Sequence, residues 1–258
     1  MPTPLYTPLS CSSPAYQLNW SYALFWHSPT ADASWLKPVS TVLEADDIRI
    51  LQHHFAQPTT SQFLVSTRPS VSPKIIAQRI KSRLQHLVRD TTPNAFARNY
   101  SLRSIGTTTR EVVDNYLATQ IDHHPITNPT LRELFQRFQF HDTTVDLSVP
   151  SRTSHAIYWY NLHVVLVHDE RYHDVNEERL RAKSAMLINS AKHKGHWLSR
   201  AAHLPDHIHF TLRGGLAESP EDIVLSYMNN LAFAVGMKSI FRNSYYVGTF
   251  SEYDVRMI

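Results

Sequence analysis

Two short stretches hold residue types able to act on a phosphodiester. His207-Ile208-His209 follows Leu204-Pro205-Asp206. On a strand, alternation turns both imidazoles to one face, about 7 Å apart along the chain, and sends Ile208 to the opposite layer. Two neutral imidazoles on one face chelate a divalent metal once a third ligand arrives. With 16 histidines in the chain, such a pair is expected about once by chance, so its meaning depends on its surroundings. Tyr116 lies in REVVDNYLATQIDHH. On a helix Tyr116 and Gln120 are i and i+4 and share a face, with Val112, Val113 and Leu117 marking the apolar side. A lone helical tyrosine ordinarily edges a core. Beside a metal it can attack a phosphodiester, leaving a phosphotyrosine that a free hydroxyl later reverses.

Other side chains suit contact with a polyanion. Lys74, Arg79, Lys81, Arg83 and Arg89 lie along or just after one helical pattern and could meet phosphates, although a solvated helix face would look the same. KHKGHWLSRAAH, from Lys192, combines positive charge with Trp197, on which a base could stack. Arg213-Gly214-Gly215 lets backbone approach a ligand or simply turns the chain. His163 and His168 receive no role.

The elements that position these residues come from an internal repeat. Pro58-Thr-Thr-Ser-Gln-Phe-Leu-Val-Ser matches Pro205-Asp-His-Ile-His-Phe-Thr-Leu-Arg, and the offset of 147 runs on without a gap to Ser72-Pro73 and Ser219-Pro220. Helical periodicity follows each Ser-Pro, in KIIAQRIKSRLQHLV and EDIVLSYMNNLAFAV. Ser72 and Ser219 are N-caps, and each proline sits where a first turn tolerates it. Ser104-Ile-Gly106-Thr faces Tyr246-Val-Gly248-Thr at an offset of 142, and SYALFWHS resembles WYNLHVVLV. Each copy reads strand, helix, strand, helix, a short strand around the glycine, then a final helix that the second copy reaches only at Ile258. The expected organisation is a first half over 1–125, a helical connector over 126–150 with a helix starting at Asn128 or Pro129, and a second half over 151–258.

Together these pieces resemble the single-tyrosine HUH transposases of small insertion sequences and REP-associated elements, in which HUH denotes His-hydrophobic-His. The matching features are an aromatic first strand, Pro-Asp-His-x-His before a Ser-Pro helix, a Ser-x-Gly turn, and a closing helix with Tyr-x-x-x-Gln. The two copies cover most of the chain. The resemblance implies an α+β fold of two ferredoxin-like halves with antiparallel sheets, packed as a pseudo-symmetric pair. It also implies Tyr116 as nucleophile, His207, His209 and Gln120 as ligands of Mg²⁺ or Mn²⁺, and single-stranded, hairpin-containing DNA as substrate. The departures matter too. The histidine positions of the first copy hold Thr60 and Gln62, and the position opposite Tyr116 at offset 142 is Ile258. The losses are complementary, so the expectation is a fused pseudo-dimer with one composite site.

Composition permits this without announcing it. The 258 residues are 42% hydrophobic, enough for one large or two small domains. The net charge of +3 and the pI near 8.9 describe a mildly basic chain. Cys11 alone excludes an internal disulfide and suits a reducing compartment. The first twenty residues lack a signal-peptide core, and no apolar run of about 18 residues suggests a membrane span. The expectation is a cytoplasmic, prokaryotic, nucleoid-associated protein that engages no membrane and acts with a second copy of itself or an accessory protein or RNA. Two rivals remain open: a transposase-derived module that binds hairpin DNA or RNA without cutting, and a metal-dependent phosphodiesterase using water.

Overall fold

Residues 3–11, 16–124, 126–236 and 239–254 are described by a computed structural model. The chain opens with β1 (Leu18–Trp26), α1 (Leu36–Glu44), β2 (Ile48–Gln57), β3 (Thr60–Thr67), α2 (Pro73–Val88) and β4 (Phe96–Ile105). α3 (Arg110–Ala118) and α4 (Gln120–His123) come next, and a connecting region follows: α5 (Pro129–Arg137), β5 (Phe140–His141), β6 (Ser151–Arg152) and β7 (Ala156–Trp159). The opening order then returns as β8 (Asn161–Val167), α6 (Glu177–Lys194), β9 (Trp197–His203), β10 (His207–Arg213), α7 (Pro220–Ala234) and β11 (Tyr246–Thr249). The class is α+β. Among the described residues no helix is long and apolar enough to cross a membrane.

The two sheets share one strand order. The first runs β4-β1-β3-β2 and the second β11-β8-β10-β9, with every neighbouring pair antiparallel. The connecting region adds strands to both. The β6–β7 hairpin extends the first sheet, with β7 parallel to β4, while β5 pairs with β9 of the second. Residues 151–159, grouped with the second half by sequence, therefore pair with the first.

Local chemistry explains the helices. Ser72 Oγ accepts from Ile75 N at the start of α2, with Pro73 in the first turn and Ile76, Ile80 and Leu84 recurring every fourth residue on the buried face. Ser219 and Asp222 form a reciprocal capping box on α7. The Asn128 side chain caps α5, and Gly195, at φ 70°, ends α6 in the left-handed conformation that glycine adopts without strain. One buried cluster runs through both repeats, and Trp20 of β1 meets Tyr160, just before β8, at a ring separation of 5.4 Å.

The repeats join about a local two-fold arrangement of hydrogen bonds. Ser104 Oγ donates to Phe250 O at 2.8 Å and accepts from Asn161 N at 3.0 Å. In the reciprocal position Thr249 Oγ1 donates to Ile105 O at 2.6 Å and accepts from Asn19 N at 3.0 Å. Bridges from Gly106 to Asp254 and from Thr109 to Ser251 repeat the same exchange. Ser104 thus corresponds to Thr249 and Gly106 to Ser251. The offset at this strand is 145 where the sequence anchor suggests 142, and Ile258, opposite Tyr116 at 142, lies outside the described residues.

The approach is close at Gly106, where an added Cβ would stand 2.1 Å from Thr249 O. Gly106→Ala is expected to destabilise the fold by about 1–3 kcal/mol through backbone overpacking, read as a lowered thermal midpoint. An unchanged midpoint would mean the junction is looser than described.

Candidate metal and nucleophile centre

The tyrosine helix α3 belongs to the first repeat in sequence but rests on the second. Val113 and Leu117 pack with Leu147 and Phe250. Arg110 N donates to Ser251 O at 2.6 Å. Asp114 lies between Arg110 and Arg200 of β9, at 3.8 and 3.5 Å. The next helix continues this docking: Ile121 packs with Leu134, Phe135, Leu180 and Leu204, the last three residues before His207.

The helix expected over 110–124 is broken at Thr119, whose φ of −106° and ψ of 8° leave the helical region. Thr119 Oγ1 bonds back to Asn115 O at 2.8 Å, a competitor for the backbone ladder. The break separates the environments of the two residues that were expected to share a face. Tyr116 is 43% exposed, whereas Gln120 is 1% exposed.

The second sheet supplies the imidazoles. His207 and His209 lie on one face of β10, their ring centroids 4.8 Å apart, and Ile208 enters the core on the other. The ring of Tyr116 stands edge-on to His209 with centroids 5.5 Å apart. His124, just after α4, lies 5.1 Å from His207. Residues from the two repeats therefore meet at one place.

The sequence reading assigned no role to His163, and antiparallel register brings it in. Thr211 opposes His163 and Val165 opposes His209, so His163 becomes a diagonal neighbour on the imidazole face. Its Nε2 lies 3.1 Å from His209 Nδ1. Asp206 was another omission: its Oδ1 accepts from His207 Nδ1 at 2.6 Å while Oδ2 receives Arg171 Nη1 at 2.8 Å. Burial opposes ionisation of Asp206, but the bonds from Arg171 and His207 prevail and draw its pKa down to about 2. Local sequence carried a signal only for Asp206, as the neighbour of His207; the Arg171 and His163 contacts depend on pairing across strands.

Each histidine of the pair has its Nδ1 engaged, which leaves Nε2 free to face a ligand. This is the arrangement that orients metal-binding imidazoles. Desolvation keeps both neutral: His209 is pushed down to about 2, and His207 is lowered despite Asp206. Gln120 carries a second indication, since its Oε1 and Nε2 are buried without a hydrogen-bond partner among the described residues. An amide oxygen of this kind suits a hard divalent cation. No group of three or more His, Cys, Asp or Glu residues forms a metal set among the described residues. Two imidazoles with a glutamine amide fall outside that count, and the donor types fit Mg²⁺ or Mn²⁺ only with further oxygen ligands.

The proposed polyanion contacts divide. Arg213 is 2% exposed, and its guanidinium is spent on Asn161, Ser151 and the carbonyls of Leu147 and Val149, fastening the connecting region. It is an interior clamp, contrary to its reading as a ligand-facing loop residue. Trp197 is 41% exposed and stands 5.0 Å from the Arg213 guanidinium. Arg83 binds Asp46 through two nitrogens, at 3.0 and 3.2 Å, and Arg79 reaches the same carboxylate at 3.6 Å. Lys81 Nζ donates to the carbonyls of Ala97 and Arg98. Lys74 is exposed.

No family model matches the chain, and no curated protein matches it. A crystal structure of an unknown protein from Galdieria sulphuraria is similar over 90% of this chain and 97% of its own, at 10% identity and a TM-score of 0.23. Likeness at that level carries no argument.

The buried imidazoles make stability depend on pH. Their ordinary value is 6.5, but desolvation pushes His163 and His168 to about 4, His203 to about 3 and His209 to about 2. The unfolded chain takes up protons near pH 6.5, which the folded chain refuses until far lower. Stability is therefore complete above about 6.5 and lost steadily as pH falls toward 4. Thermal midpoints should fall steeply between pH 7 and pH 5, more than a single titrating site allows; a flat profile would contradict the burial of these rings.

Proposed function

We propose that this chain nicks single-stranded DNA and transfers the cut strand through a 5′-phosphotyrosine on Tyr116, at one composite site assembled from both repeats. The observation that carries the reading is the meeting of the α3 tyrosine with His209 across the repeat boundary, at 5.5 Å between ring centroids. The first repeat alone lacks the imidazole pair, because Thr60 and Gln62 stand at its histidine positions. On this reading the chain is a pair of ferredoxin-like HUH halves fused into a transposase-like endonuclease, with a hairpin-bearing strand as substrate and a prokaryotic cytoplasm as its setting.

His207, His209 and Gln120 would hold the divalent ion. When bound, it polarises the scissile phosphate and offsets charge on the leaving oxygen. The chain's own contribution begins with Tyr116, whose exposure leaves its hydroxyl accessible to a strand arriving from solvent. The tyrosine oxygen bonds to phosphorus as the bond from phosphorus to the 3′ oxygen breaks. The phenolic proton leaves to solvent, and the 3′ oxygen departs as a hydroxyl. Asp206 and His163 hold the two imidazoles in their ligand-facing orientation. A hydroxyl of another strand end reverses the step and joins the ends; water merely releases the nick. One site holds one covalent end, so joining two ends requires sequential action or a second copy of the chain. An accessory protein or RNA could supply target choice.

The test is a denaturing gel of purified protein with labelled single-stranded hairpin DNA from its genomic flanks and Mn²⁺. Wild type is expected to give a covalent protein–DNA band that Tyr116→Phe and His207→Ala both abolish. Cleavage that persists in Tyr116→Phe would assign the chain to water-using phosphodiesterases. Binding with no adduct or cleavage would make it a non-cutting DNA- or RNA-binding module. Asp206→Asn should weaken Mn²⁺ binding about 10- to 100-fold in calorimetry while the fold persists. Unchanged affinity would remove Asp206 from the centre.

A further inference from the structure

Two adjoining cavities, about 910 and 450 Å³, form a groove between α2 and β4 of the first repeat. Gln78, Lys81, Phe96 and Arg98 line both. We infer that this groove docks the phosphate backbone of a nucleic-acid duplex.

Charge carries the argument. No Asp or Glu lines either cavity among the described residues, whereas Lys74, Arg79, Lys81 and Arg98 all do. The whole chain has a net charge of only +3, so an acid-free wall with four cations is a local arrangement. Lys81 is held in the floor by the carbonyls of Ala97 and Arg98, which ties β4 to α2 and leaves its positive charge beneath the groove. Arg79 shares Asp46 with Arg83, and the closer bonds of Arg83 take most of that carboxylate. The Lys74 and Arg98 side chains are exposed and make no hydrogen bond or ion pair among the described residues.

The second repeat does not carry these cations at the matching positions. At the offset of 147, Lys74, Arg79 and Lys81 become Glu221, Ser226 and Met228. Glu221 and Met228 are buried, and Glu221 accepts from the Tyr245 hydroxyl. The two helices share a serine cap and differ by one residue in length, and at these positions the cations belong to one copy only.

The side chains also distinguish duplex from single strand. Binding of unpaired bases needs open aromatic faces. Here Phe96 packs edge-on against Trp26 at 4.6 Å and Tyr100 is tilted against Tyr22 at 6.0 Å, so each ring is held on one side by the interior and is half-buried. The groove offers cations and the Gln78 amide, which suit outward phosphates whose bases are already stacked. The 16 residues of α2 extend about 24 Å, the length of roughly seven base pairs.

The experiment is fluorescence anisotropy in EDTA with a labelled duplex of about 14 base pairs and the matching single strand, across about 50–200 mM salt. Wild type is expected to bind the duplex more tightly. Lys74→Glu with Arg98→Glu should weaken duplex binding about tenfold or more and flatten its salt dependence. Lys37→Glu with Arg181→Glu, an equal charge change elsewhere, should leave it within about twofold. Tighter binding of the single strand, an unaffected groove variant, or equal losses in both variants would overturn the inference. If the reversal does not fold, Lys74→Gln with Arg98→Gln should still weaken binding several-fold, by about one unit of salt slope per cation. Binding in EDTA requires no tyrosine chemistry, so duplex binding without any covalent adduct would retire the catalytic reading and leave this one standing.

Discussion

Ser104 and Thr249 hold the two repeats together, each donating to a backbone carbonyl of the other repeat and accepting an amide from the first strand of that same repeat. Both hydroxyls are buried, where an unmade hydrogen bond would cost about 1–3 kcal/mol. The reciprocity satisfies both at once, and Gly106 lets the backbones come close enough for it. The chain leaves this junction directly into α3. Because Arg110 N and the Val113–Leu117 face bind residues of the second repeat, the tyrosine helix crosses over. The composite centre is a consequence of how the repeats join.

The centre itself is an array of imidazoles removed from water. Desolvation is the first cause of the lowered pKa of His163, His207 and His209, and it outweighs even the Asp206 carboxylate beside His207. Burying neutral rings costs less than burying charged ones, and it keeps their ring nitrogens available as ligands at neutral pH. Gln120 is buried as well, with an amide that nothing in the described protein satisfies. Such a group persists when another requirement holds it in place. A second buried system lies nearby, in which Lys183 and Asp174 pair at 3.0 Å beside His168. That pairing lets a lysine remain 1% exposed on α6.

Asymmetry is the general theme of the duplication. The repeats keep strand order, helix caps and core, since these depend on apolar periodicity and a few capping residues that tolerate extensive substitution. They diverge at the imidazole pair, the tyrosine and the cations of α2. One copy has the imidazoles, while the other contributes the tyrosine helix and the cationic wall of α2.

Much of the fold was legible in the residues themselves. The Ser-Pro starts of α2 and α7, the Asn128 cap, the His207–Arg213 strand and the pairing of Thr60 with His207 all follow from local periodicity and capping, which need no knowledge of distant contacts. What lay beyond the sequence depends on contacts between residues far apart in the chain. Register alone makes His163 a neighbour of His209. Desolvation alone turns Arg213 from a loop cation into an interior clamp, because four partners replace the water it leaves behind. The break at Thr119 and the 145 offset of Ser104 and Gly106 show only in the backbone and its pairing. The sequence determined the elements and the residue types available for chemistry; only tertiary packing decided which of those residues meet, since the free energy of meeting resides in surfaces drawn from both repeats.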